Sequence, residues 1–149
     1  MAKRILVPLK WNEPPAAFVE ALSALARGGG ATVRLLHIGP PHDNVVDDAG
    51  RLVAYADQET RRLEAEARDF MQVVAMALGD VRVEVEVRFG DPVREILDEA
   101  DVFDADLVVL GVRPRRRFVR IGGVAEQVFR RAAMPVALLR ADHREPGVR

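Results

Sequence analysis

The chain has no cysteine, which excludes disulfides, thiolate nucleophiles and cysteine-ligated metals. Hydroxyl side chains are almost as scarce: Ser23 is the only serine, and Thr32 and Thr60 are the only threonines. No nucleophile elbow GxSxG, phosphate loop GxxxxGK[ST] or dinucleotide fingerprint GxGxxG occurs. Nucleophilic catalysis therefore has little to stand on, and few positions can be phosphorylated. Aromatic residues make up only 5% of the chain. No run approaches the roughly 18 consecutive apolar residues of a membrane span. The opening "MAKRILVPL" is basic and then apolar, but Pro8 and Lys10 break the run. It reads as a first strand and not as a signal peptide, so the expected setting is cytoplasmic, with no membrane contact.

What is present suits one ordinary domain. The chain has 149 residues, 49% hydrophobic and 30% charged, enough apolar matter for a core. The expected division is a single domain over 1–141 and a polar tail over 142–149. The formal charge of -1 hides an asymmetry. Residues 1–112 hold 12 basic and 20 acidic side chains, whereas residues 113–149 hold 10 basic and 3 acidic. An acidic body with a basic carboxyl-terminal third can hold an anion locally or pair with another copy of itself. It lacks the wide basic face of a general nucleic-acid binder.

Apolar segments of two periods alternate along the chain. "RILVPL" (Arg4–Leu9) is a short β-rich run. A helix follows, with Asn12 as its expected cap, prolines in its first turn, and Phe18, Leu22 and Leu25 on one face. Gly28–Gly30 stop it. Thr32–Ile38 is a second strand, and 39–50 has turn chemistry. From about Arg51 to Leu78 a long helix places Leu63, Ala67, Phe70, Val74 and Leu78 on one side. "VRVEVEVRF" (Val81–Phe89) alternates valine with charge, as a half-buried strand near a sheet edge does. Asp91 caps the next helix, Pro92 suits its first turn, and Val93, Ile96, Leu97 and Ala100 mark its inner face. "ADLVVLG" (Ala105–Gly111) is a continuous apolar run, as in a parallel strand buried on both faces. Ala125, Val128, Phe129 and Ala132 define a last helix, and "PVALLR" (Pro135–Arg140) a last strand. Five strands alternating with four helices demand an α/β sheet of mostly parallel strands. Ligands in such sheets sit at the carboxyl ends of the strands, at the topological switch point.

The stretch "GVRPRRRFVRIGG" (Gly111–Gly123) follows the fourth strand and so lies at that end. It carries Arg113, Arg115, Arg116, Arg117 and Arg120. One reading is a solvated loop whose arginines pair with acidic surface on the same or a partner subunit. The other is an anion or nucleotide cradle, since arginine grips phosphate bidentately and Gly122–Gly123 opens a helix. Phe118 is its only aromatic, so no stacking platform for nucleic acid is suggested. Lys10 stands at the end of the first strand. It can contact an anion, block a pocket, or pair with Asp106 or Asp91. His37 ends the second strand and reads as a packed or hydrogen-bonded histidine. His42 with Asp43, Asp47 and Asp48 lacks metal-ligand spacing, so no metal site is assigned.

"RILVPLKWNEPPAAFVEALSALA", "TVRLLHIG", "GDPVREILDEADVFDADLVVLGVR" and "GVAEQVFRRAAMPVALLR" together resemble the universal stress protein family. The resemblance covers nearly the whole chain, in order. It implies a three-layer flavodoxin-like, or adenine nucleotide alpha hydrolase-like, domain with sheet order 3-2-1-4-5. It implies a cytoplasmic homodimer paired through the last strand, here Pro135, Val136, Ala137, Leu138 and Leu139. An open apolar edge strand invites such pairing.

Many members of that family bind ATP between the ends of strands one and four. Their signature is an aspartate after strand one. After strand four come Gly, two residues, Gly, nine residues, then Gly and Ser or Thr. This sequence departs from it at every element but Gly111. Lys10 stands where the aspartate is expected, and Pro114, which has no amide hydrogen, replaces the second glycine. Only seven residues, Arg115–Ile121, separate Pro114 from Gly122, and Gly123 replaces the hydroxyl residue. The expectation is a non-enzymatic stress-response or regulatory homodimer with a degenerate ATP motif and no certain cofactor. The alternative is a binder of ATP, AMP or another adenine nucleotide through a remodelled arginine-rich loop. The candidate nucleotide or anion residues are Pro8, Lys10, His37, Gly111, Arg113, Arg115, Arg116, Arg117, Gly122, Gly123 and Val124. No catalytic residue is assigned, and slow ATP hydrolysis stays open.

Overall fold

A computed structural model describes residues 2–10, 14–41, 55–112 and 123–141, with side chains from residue 58 onward in the second helix. The five strands are β1 (Arg4–Pro8), β2 (Thr32–Gly39), β3 (Arg82–Phe89), β4 (Leu107–Val112) and β5 (Val136–Arg140). They form one sheet in the order β3-β2-β1-β4-β5, and every neighbouring pair is parallel. Ile5, Leu6 and Val7 of β1 and Val108 and Val109 of β4 are fully buried. Consecutive strand residues point to opposite faces, so such runs need cover on both sides. The helices supply it: α1 (Ala16–Arg27), α2 (Tyr55–Ala77), α3 (Pro92–Phe103) and α4 (Val124–Arg131). Phe18, Leu22, Met71 and Val74 of α1 and α2 join Val7, Leu35 and Val109 in one apolar layer. Val93, Ile96, Phe103 and Val128 of α3 and α4 join Leu6, Leu36 and Val108 in the other.

Three local expectations need correction. Helix α1 begins at Ala16, with Pro15 and not Asn12 at its N-cap position and no side-chain cap from it; Asn12 itself lies outside the described residues. Pro15 holds φ at -64°, as the proline ring requires, and has no amide hydrogen to leave unpaired. Within α1 the buried stripe runs Phe18, Leu22, Ala26, while Leu25 is 44% exposed. The i, i+4, i+8 row lies along the sheet, with Ser23 buried on its far side, and Leu25 sits about 60° off the middle of the row on the solvent side. In α4 the buried residue is Val128, and Phe129 is 55% exposed. Adjacent helical residues diverge by about 100°, and here Val128 points into the layer while Phe129 turns toward solvent.

Other signals agree with the fold. Asp91 caps α3, its Oδ2 accepting from the Arg94 amide at 3.0 Å, and Pro92 opens the helix. Gly28 caps α1 at its carboxyl end. Strand β3 is an outer strand, as its alternation predicts. Its Val83, Val85 and Val87 pack on the α1–α2 layer, which leaves Glu84, Glu86 and Arg88 toward α3. Arg68 of α2 reaches over this edge and donates through Nη1 to the Val85 carbonyl at 3.3 Å. The chain moves outward from β1 to β3, then crosses back to β4. The switch point is therefore between the carboxyl ends of β1 and β4.

Candidate functional site

The carboxyl ends of β1, β2 and β4 bring together Pro8, Lys10, His37 and Gly111, with Gly123 and Val124 following at the start of α4. Pro8 closes β1 in register with Leu36, and the Leu9 amide donates to the Leu36 carbonyl at 2.7 Å. His37 Nδ1 lies 3.1 Å from the Leu9 carbonyl. A carbonyl only accepts, so Nδ1 carries the proton and donates. This bond pins the exit of β1 to β2 and sets where Lys10 leaves the sheet. Lys10 is exposed.

Lys10 does not pair with Asp106 or Asp91. Asp106 lies at the opposite end of the sheet, where its Oδ2 accepts the amides of Lys3 at 2.6 Å and Arg4 at 2.8 Å. These two bonds hold the Asp106 carboxyl below its usual range. Asp91 is the α3 cap, and Lys10 has no ion pair among the described residues.

Gly111 owes its small size to packing. A Cβ there would lie 2.9 Å from the Ala141 Cβ and 3.4 Å from Phe18 Cε2. Gly123 has φ +62° and caps α4 without a side-chain bond; the left-handed region suits glycine. Val124 begins α4 and packs on the α3–α4 layer. Glu126 lies in the first turn of α4, where its charge suits the helix dipole, and pairs with Arg130 at 2.8 Å. Arg113, Arg115, Arg116, Arg117 and Gly122 fall outside the described residues, as do Trp11, the His42 loop and the 142–149 tail.

A second set of charges escaped sequence reading. Glu99 of α3 is buried and lies between Arg34 of β2 and Arg88 of β3, each 2.6 Å away. Arg34 also binds Glu84 at 2.7 Å, and Arg88 binds Glu95 at 2.8 Å. Burial works against the Arg34 charge, but its bonds to Glu84 and Glu99 prevail and raise it above its ordinary value. Arg88 behaves alike with Glu95 and Glu99. Only the alternation of β3 hints at this network.

A parallel sheet of this order, with helices on both faces and its switch point between β1 and β4, defines a doubly wound α/β protein. The universal stress protein family model matches residues 1–140, and the chain belongs to that family. Solved structures of similar fold include a universal stress protein in complex with cAMP, 19% identical, with TM-score 0.67 and coverage of 95% of this chain and 98% of that one. The UspA of Lactobacillus plantarum is 26% identical over 93% of this chain and 97% of its own, with TM-score 0.63. A universal stress protein of Archaeoglobus fulgidus in complex with dAMP is 22% identical over 91% of this chain and 96% of its own, with TM-score 0.61. No curated protein matches the chain.

Proposed function

We propose that this chain is a non-enzymatic regulatory protein of the stress response. It acts in the cytoplasm as a homodimer paired through β5, and the adenine-nucleotide site of its family is altered. The observation that carries the reading is Lys10. It is exposed at the end of β1, at the position where an aspartate is expected in ATP-binding relatives. Gly111, the signature glycine that remains, is accounted for by its packing on Ala141 and Phe18. The altered loop after β4 adds Pro114, a shorter spacing, and no hydroxyl residue at Gly123.

A second reading rests on structural neighbours described with cAMP and with dAMP. In it, Lys10 and the arginines from Arg113 to Arg117 replace lost backbone donors and hold an adenine nucleotide by charge. Titration with ATP and magnesium, followed by the fluorescence of Trp11 and by calorimetry, separates the two. Absence of saturable binding up to millimolar ATP is the expected result. Micromolar binding weakened by Arg115→Ala or Arg117→Ala establishes the second reading.

A further inference from the structure

At the opposite pole of the sheet the register aligns Arg4 of β1, Thr32 of β2 and Arg82 of β3 in one row. Residues in register on adjacent strands share a face. Strand spacing places the Arg4 and Arg82 Cα atoms about 10 Å apart, with Thr32 between them. Two arginine stems across that gap can converge on one group above the threonine. Lys3 precedes the row. Lys3, Arg4, Gly30, Thr32, Arg82, Glu84 and Phe103 line a cavity of about 320 Å³.

The carboxylates nearby already have partners. Glu84 Oε2 accepts from Arg34 Nε at 2.9 Å and Nη2 at 2.7 Å. Asp106 Oδ2 is held by the main-chain amides of Lys3 and Arg4. Arg4 gives one N–H, from Nη1, to the Phe103 carbonyl at 2.9 Å and keeps its other donors. Among the described residues, neither Lys3, Arg4 nor Arg82 forms an ion pair. Asp106 offsets part of the Lys3 and Arg4 charge and Glu84 is paired to Arg34, so three cations border one cavity with an excess of positive charge, beside a hydroxyl. Like charges held together repel, and a bound anion relieves the repulsion.

The chemistry of the occupant follows from the walls. The Phe103 ring has the Arg34 guanidinium 4.2 Å and that of Arg4 5.6 Å from its centroid. It is engaged by cations, which leaves it poorly placed to stack a base. The cavity is far larger than the roughly 30 Å³ share of one water molecule, so a phosphate fits with some of its hydration. Guanidinium forks match the oxygens of phosphate bidentately.

We infer that Lys3, Arg4, Thr32 and Arg82 form a phosphate-binding site at the amino-terminal pole of the sheet, for a small free phosphate or diphosphate compound. It lies at the other end of the strands from Lys10 and Gly111 and stands whether or not nucleotide binds there. The test is a titration of the ¹⁵N-labelled full chain with pyrophosphate and with inorganic phosphate at fixed ionic strength, with sodium chloride as control. The amides of Gly30, Thr32, Arg82 and Glu84 shift saturably at millimolar pyrophosphate, and those of Lys10 and Gly111 report the other pole separately. Arg82→Glu weakens the response by about tenfold or more, the loss expected for one charge-assisted contact. Arg82→Gln, which keeps the stem, tests the same point if the reversed charge disturbs the fold. No saturable shift with either phosphate, an equal shift with chloride, or an unchanged response in both Arg82 variants overturns the proposal.

Discussion

Arg34 Nη1 lies 2.6 Å from Glu99 Oε1, and this bond joins the outer half of the sheet to α3. Glu99 also holds Arg88, so one buried carboxylate satisfies two guanidinium groups from neighbouring strands. Replacing it leaves two neighbouring cations that share no carboxylate, each keeping only its outer partner, Glu84 or Glu95. Glu99→Ala is expected to destabilise the fold by about 3 kcal/mol, near the low end for breaking a buried pair, because both arginines are partly exposed. That corresponds to a loss of roughly 6–12 °C in Tm. Glu99→Gln keeps the shape and part of the hydrogen bonding and should cost less. Urea denaturation of the three proteins measures both.

Asp106 fastens the start of β1 through two amide bonds. The carboxyl is held below its ordinary value by the hydrogen bond from the Lys3 amide and next by that from Arg4. A depressed folded pKa adds stability above the unfolded value, near 3.9. That contribution is lost as pH falls through the lower folded value. Asp106→Asn should therefore reduce stability at neutral pH and flatten the decline below about pH 4. Denaturation midpoints of both proteins across an acid series give the comparison; parallel curves would contradict it.

Gly111 separates packing from ligand contact. Gly111→Ala brings a methyl to 2.9 Å from the Ala141 Cβ, an overpacking expected to cost about 1–3 kcal/mol. Ala141→Gly should restore most of it, because the clash is between those two carbons. Chemical denaturation of the single and double variants shows whether the pair couples.

Arg68 guards β3. An open edge presents unpaired backbone groups to other chains, and Arg68 covers the Val85 carbonyl. Arg68→Ala should change stability by less than about 1 kcal/mol yet raise concentration-dependent association. Light scattering against concentration measures this, and an unchanged profile refutes the guarding role.

Strand β5 is the other outer strand. The Ala141 amide donates inward to the Val112 carbonyl at 2.8 Å, so by alternation the Arg140 amide points outward. Arg140→Pro removes that outward donor and is expected to weaken the proposed dimer by about tenfold. Sedimentation of wild type and variant tests it; a monomeric wild type overturns the dimer itself.

The order of elements was legible because hydrophobic period is a local property. A run such as "ADLVVLG" has to be buried on both faces wherever it lies, and "VRVEVEVRF" on one. The Asp91-Pro92 cap and the Gly28 stop were legible for the same reason, since their chemistry acts within one turn. Leu25 and Phe129 were misread because two adjacent helical rows look alike until a sheet selects one. Lys10 as a departure from the nucleotide-binding pattern was visible in the sequence, but its separation from Asp106 was not. Asp106 opens β4 at the opposite pole, a consequence of parallel topology.

The sequence by itself determined an alternating α/β chain, a buried centre and charged outer strands, because period and turn chemistry need only near neighbours. Tertiary structure alone decided which charges meet. Arg34, Arg88 and Glu99 come from three separate elements, and Arg4, Thr32 and Arg82 from three strands. Only strand order and register, which depend on how the whole chain closes, place each of those sets together.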